Sequence, residues 1–330
     1  MRLRPGLRVL TIAPGEVQIG CDPRWAVRVE GLTEPESDLL ASASQGAGLP
    51  RTAPGGVSQE RWTALLGDLR TAGLLASGRQ RPPLPVGEAD ATAWGLIDPH
   101  RHGPARVAAR RDRAVRVVGL GPTGLAVAVT LAAAGVGTVL GDDDAPVRSV
   151  DVGTSGYRWT DVGATRAEVA ARIVRDVAPS VVTRPGADPD LVVLVDPEVA
   201  DPVRSSALVS AEIAHLSVVV GSASATVGPL VVADGGPCLH CLDLHRADGD
   251  PRWARVVTRL ATARDRAVSE VGVLAGIAGH LAAALVLAYL DGDHRPVPTT
   301  WEVALPDPTP RARAWQAHPA CACAGSPARR

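Results

Sequence analysis

The chain has 330 residues, room for two or three domains and a sizeable core, with 46% hydrophobic and 21% charged residues. Its net charge of −1 excludes a basic field for holding nucleic acid, and it carries no acidic tail. All 34 basic residues are Arg, and Lys, Asn and Phe are absent, a composition that a GC-rich coding sequence imposes.

The start, MRLRPGLRVL, has charge but neither an apolar stretch nor a small-residue cleavage site, so it does not read as a signal peptide. LRVLTIAPGEVQIGCDPRWAVRVEG predicts two or three short strands with Pro-Gly and Asp-Pro turns. Thr33 caps a helix that carries Pro35 in its first turn. Ser58 caps another, along which Trp62, Leu65, Leu66, Leu69 and Leu74 or Leu75 recur at helical spacing. Strands followed by short helices over residues 1–80 suggest a winged-helix-like module, with a plain packing domain as the alternative. Cys21 reads as a buried small hydrophobe. Residues 81–112 are rich in Arg, Pro and Ala and read as a linker whose arginines form a solvated face.

From residue 113 to 330 the pattern changes. AVRVVGLG is a continuous apolar strand, and residues 123–134 are helical. GTVLGDDD is a second strand ending in acids, followed by a charged amphipathic helix over 165–176. LVVLVD and HLSVVVGSA are further strands, with residues 203–214 helical between them. Such alternation predicts an α/β fold: a Rossmann-like, mostly parallel sheet with helices on both faces. Residues 271–290 are apolar for a membrane-spanning length. Gly272, Gly276, Gly279 and His280 interrupt that run, and Asp291-Gly292-Asp293 ends it. We therefore expect a helix of the α/β core, no membrane partner and a cytoplasmic protein. In a reducing compartment, paired cysteines bind metal more often than they form disulfides.

Two motifs carry chemistry. Gly119-Leu120-Gly121-Pro122-Thr123-Gly124 follows a strand and opens a helix. In such a loop Gly119 allows the tight turn, Gly121 lets phosphate approach the backbone, and Gly124 lets helix and strand pack closely. Asp142, Asp143 and Asp144 follow the next strand, where a ribose-binding carboxylate is expected. The motif fits NAD and ATP alike. Cys238-x-x-Cys241 sits in GGPCLHC, and Cys321-x-Cys323 lies 80 residues beyond Cys241. Four thiolates suit one tetrahedral structural zinc. His240 and His318 stand beside these ligands and could substitute for one.

With those stretches in place, the chain from about Ala114 to Ala324 resembles the ThiF/MoeB/E1 superfamily of adenylating enzymes. The matching segments are VRVVGLGPTG, GVGTVLGDDD, DVGATRAEVAARIVRDVAPSV, GGPCLHC and the final CAC. The resemblance implies an ATP–Mg site at the glycine loop. It also implies adenylation of the C-terminal carboxylate of a small carrier protein, and a homodimer. Relatives in thiazole/oxazole-modifying systems carry an N-terminal module that binds a precursor peptide leader, and residues 1–80 are similar in layout.

Departures from the family pattern surround the phosphates. The family's Asn-x-x-Arg element is missing; Arg148 and Arg158 are present outside that motif. Arg166 stands where the family has Lys, and Val199 where it has the metal-holding Asp, with Glu198 and Asp201 nearby. No cysteine other than the zinc pair lies between the LVVLVD strand and the zinc turn, so a thioester-forming cysteine is absent. The leading expectation is therefore an E1-like protein with an eroded ATP site. It would be a scaffold that binds a leader peptide or partner protein and supports a separate, YcaO-like modifying enzyme. An active adenylyltransferase using Arg148, Arg158 or Arg166 and an NAD-dependent oxidoreductase are the alternatives.

Overall fold

Alternating apolar residues in the first thirty positions form three short antiparallel strands, β1 (Val9–Ala13), β2 (Glu16–Ile19) and β3 (Val27–Val29), in the order β1-β2-β3. Val17 and Ile19 turn inward and are fully buried. Helix α1 (Glu34–Ser44) opens with a capping box: Glu36 accepts from the backbone N–H of Thr33 at 2.7 Å. Glu36 is itself buried and receives Nε of Arg61 at 2.9 Å, which ties α1 to α2 (Gln59–Thr71). Trp62, Leu66 and Leu69 of α2 pack with Leu40 and Leu74, and the Trp62 indole donates to the carbonyl of Pro50 at 3.0 Å.

This computed structural model describes residues 1–76, 86–97, 103–184, 186, 188–233, 235–263 and 268–325, and the chain divides into two compact units, residues 1–108 and 109–330. The stretch expected as a linker contains helices α3 (Glu88–Ile97) and α4 (Gly103–Ala109) and closes the first unit. Its apolar positions are few but well placed: Ala91 and Val107 are buried, and Leu96 packs against the core of the unit. The arginines cover what remains, as where Arg106 lies 4.3 Å over the ring of Trp94. Cys21 is exposed, against expectation. It begins a turn fixed by Asp22, whose carboxylate receives the backbone and side chain of Arg24.

The second unit holds a seven-stranded sheet. Four strands run parallel: β4 (Ala114–Val118), β5 (Thr138–Asp142), β6 (Leu191–Pro197) and β7 (His215–Val220). Three antiparallel strands extend it: β8 (Ser224–Val231), β9 (Thr299–Ala304) and β10 (Arg311–Ala314). The order is β10-β9-β8-β7-β6-β4-β5. All but the last residue of β6 is buried, as expected of a parallel strand covered on both faces. Helices α5 (Pro122–Ala133), α6 (Arg166–Val177) and α7 (Pro202–Ser210) connect the parallel strands. Helices α8 (Leu239–Gly249), α9 (Trp253–Ala261) and α10 (Gly272–Leu290) follow β8. Helix α10 is long and apolar enough to cross a membrane, and here it packs along α5 and β8.

Strand β4 lies between β5 and β6, so the chain leaves it first to one side and then to the other. At such a switch point the loops at the strand C-termini part and leave a crevice.

Candidate functional site

The crevice is a cleft of about 800 Å³ whose lining includes Gly119, Gly121, Asp142, Arg148, Arg166 and Asp196. Gly119 takes φ +86° and donates to the carbonyl of Asp142 at 2.9 Å. Gly124 lies so close to Gly119 that a Cβ would fall 1.9 Å from its carbonyl oxygen. Between them the peptide of Leu120 is held on both sides. Its N–H donates to Asp143 Oδ2 at 2.8 Å, and its carbonyl accepts the hydroxyl of Tyr157 at 2.7 Å. Burial raises the Tyr157 phenol above the ordinary tyrosine range, which keeps it a donor.

Of the three aspartates at the end of β5, all on the cleft lining, Asp142 and Asp143 have different fates. Asp142 is exposed at the strand end and faces the cleft. Asp143 turns inward and accepts from Leu120 and from Arg166 Nη1 at 3.2 Å. Arg166 also donates to Asp151 Oδ2, from Nη2 at 2.6 Å and Nε at 3.1 Å. Arg148 donates to Asp151 Oδ1 at 3.0 Å and to the carbonyl of Val268 at 2.6 Å, while its Nε is buried without an acceptor. Burial opposes the charge of Asp151, but hydrogen bonds from the Arg148 backbone, Arg166 and the Arg148 guanidinium hold its carboxyl below the usual carboxylate range. Two of the four arginines that line the cleft, Arg148 and Arg166, are thus committed to internal acids, while Arg116 and Arg204 also line it. Arg158, the third candidate, is exposed and outside the cleft lining.

One cleft group has no signal in the sequence. Glu270, just before α10, places Oε2 2.8 Å from the Thr123 N–H and 2.5 Å from the Thr123 hydroxyl. Its Oε1 lies 2.1 Å from where a Cβ on Gly121 would stand. Burial raises its carboxyl above the ordinary glutamate range, against the two bonds from Thr123. The start of α5, where the N–H groups point outward and the helix dipole favours an anion, is therefore filled by this carboxylate.

At the end of β6, Val199 is buried, Glu198 is exposed and takes φ +64°, and Asp201 caps α7. Neither Glu198 nor Asp201 lines the cleft, whereas buried Asp196 does. The ribose end of a nucleotide fits these residues, with Asp142 over an ordered glycine loop. At the phosphate end the anion position is taken by Glu270, and the buried Val199 offers a metal no ligand.

Far along the chain, Cys238 caps α8, Cys241 lies in its first turn, and Cys321 and Cys323 return beside them. Their sulfurs all lie within 4.8 Å of one another, with separations of 3.9 Å (238–241), 3.6 Å (238–321) and 3.1 Å (241–323). Tetrahedral zinc with bonds of about 2.3 Å spaces its sulfurs by roughly 3.8 Å, so the four thiolates fit that ion. Val231, Leu242 and Trp315 wall the cluster. His240 is exposed. His318 accepts from the Ala320 N–H at Nδ1, so its Nε2 proton faces Asp248 at 3.0 Å, and the ring serves the loop.

The profile of the ThiF family matches residues 101–323, more than half of the chain. None of the curated proteins matches it in sequence. Among solved structures, the selenomethionine form of PaaA superposes with a TM-score of 0.68 at 17% identity, covering 93% of this chain and 98% of its own. E. coli MccB with ATP gives 0.67 at 14% identity, covering 98% and 99%. E. coli MccB with AMPCPP and MccA gives 0.67 at 12% identity, covering 98% of each chain. At these identities the likeness is one of fold.

Proposed function

Since the chain belongs to the ThiF family, we propose that it is an E1-like protein of ribosomal peptide modification acting as a scaffold. Its N-terminal unit binds a precursor peptide leader or a partner protein, and a separate enzyme, such as a YcaO-like one, performs the modification. The observation that carries this reading is Glu270: the anion position of the glycine loop holds the protein's own carboxylate. The engagement of Arg148 and Arg166 by Asp151 and Asp143 supports it. So does the whole-length likeness to PaaA and to MccB, the latter solved with MccA. Structural zinc in the four-cysteine cluster completes the proposal.

Isothermal titration of the full-length protein with ATP–Mg²⁺, paired with an assay of pyrophosphate exchange, tests it. Weak or absent binding and no exchange are expected. Micromolar binding together with exchange on a peptide or carrier C-terminus overturns it. The open cleft and exposed Asp142 favour a second reading, an active adenylyltransferase, which predicts ATP-dependent AMP release.

A further inference from the structure

Resting on the scaffold reading, we propose that Glu270 is a displaceable plug in the anion cradle of this chain. Arg148 is the latch that holds the plug's backbone, and a phosphate-bearing ligand binds only by displacing the carboxylate.

The geometry at the start of α5 makes the competition direct. Pro122, the first residue of the helix, has no N–H to offer, so the outward donors are concentrated around Gly121 and Thr123. Glu270 takes both donors of Thr123 and stands over Gly121. A phosphate oxygen approaching the same N–H groups meets the same positive helix end, and both anions cannot be there together. Among the described residues no guanidinium lies within ion-pair distance of Glu270, so Thr123 and the helix end hold its charge, with the more distant Arg166 adding to them. Burial works against that charge and raises the carboxyl, so the plug sits in place at a cost that favours exchange.

Arg148 ties Asp151 to the segment that carries Glu270. Its Nη2 holds the carbonyl of Val268, two residues before Glu270, at 2.6 Å. Its Nε is buried with no acceptor, an unsatisfied donor on a side chain that lines the cleft. Movement of the 268–270 backbone releases the Val268 bond and leaves Arg148 with two donors for an incoming anion. The same displacement that opens the cradle therefore arms the cation beside it.

The test is isothermal titration of the full-length protein with inorganic pyrophosphate, ATP–Mg²⁺ and adenosine, comparing the parent with Glu270→Gln and Glu270→Ala. Both variants should bind pyrophosphate and ATP–Mg²⁺ at least about tenfold more tightly, because a competing charged acceptor is removed, while adenosine binding stays unchanged. In the Glu270→Gln background, adding Arg148→Ala should reverse the gain. Equal or weaker phosphate affinity in Glu270→Gln, which keeps the side chain's shape, overturns the plug. A gain that survives Arg148→Ala overturns the role of Arg148 as the cation armed by displacement, and a parent chain whose phosphate affinity does not rise on Arg148→Lys, which keeps the charge but not the Val268 bond, overturns the latch. The scaffold reading fails separately, if the parent chain turns over ATP with a peptide, whatever the Glu270 variants do.

Discussion

Arg110 folds its guanidinium onto Asp291, both side chains only 2% exposed. Nε and Nη2 reach the two carboxylate oxygens at 2.8 and 2.6 Å, and Nη1 donates to the carbonyl of Ala134 at 2.9 Å. Ala134 and Asp291 are the C-caps of α5 and α10, so one cation serves two helix C-termini, where the dipole favours it. Removing one partner strands the other charge in a dry site. Arg110→Ala should therefore cost about 3–5 kcal/mol in urea unfolding. The double variant with Asp291→Ala should cost less than the sum of the single ones. A loss under about 1 kcal/mol would show that the pair is solvated.

His215 is buried at the start of β7, with Nδ1 3.0 Å from the carbonyl of Ile213 and Nε2 buried without a partner. Burial holds its imidazole below the ordinary histidine range, against that one hydrogen bond. The unfolded chain takes up this proton below about pH 6.5 and the folded chain does not. The contribution of neutral His215 is thus complete above about pH 6.5. It is lost as pH falls toward the folded value, at up to about 1.4 kcal/mol per pH unit. Melting between pH 7.5 and 5 should show this loss, and His215→Leu should flatten it. An unchanged acid limb in the variant would locate the effect elsewhere. At this scale the sequence was legible where position is local, as in placing Asp142 at its strand end beside the cleft. Glu270 and Thr123 are 147 positions apart, and only the return of the chain brings them together. Arg158 stands outside the cleft lining, because charge in a loop says nothing of which way the loop faces.

Among the elements, the strands and helices between β4 and β7 were readable because each is a single apolar run or a clean amphipathic face. The extension β8-β9-β10 was not, since β10 reads RARA and is exposed along its whole length. Helices α3 and α4 were hidden by arginine and proline around too few apolar positions. Yet β9 and β10 carry the chain back toward α8, with Trp315 donating to Thr300 at 2.9 Å on the way. That return delivers Cys321 and Cys323 to Cys238 and Cys241, which spacing had already paired. If the four thiolates hold zinc, elemental analysis should find about one zinc per chain. Stripping the metal should cost several kcal/mol, because binding and local folding are one event. Cys321→Ser should lower the melting temperature and weaken retention of the metal. A metal-free protein with an undiminished melting temperature would refute the zinc assignment.

The molecule as a whole divides into two compact units. Leu40, Trp62, Leu66 and Leu69 pack within residues 1–108, and the sulfur cluster with Val231, Leu242 and Trp315 packs within residues 109–330. Cores that share no side chains lose their order separately, and free energies of opening differ between such units. The metal, if present, stabilises only the second. Hydrogen exchange under a chelator should therefore accelerate in β8 and α8, while the amides of α1 and α2 keep their protection. Under zinc-replete conditions the order of unfolding should shift, with the second unit outlasting its metal-free form at every denaturant concentration. A peptide ligand of the first unit should act in the opposite sense, protecting β1 to β3 and leaving the cysteine cluster unmoved. Simultaneous loss of both sets of amides on chelation would mean that the two units unfold as one, and that the proposed peptide binding could not be separated from the ThiF domain by removing the proposed metal.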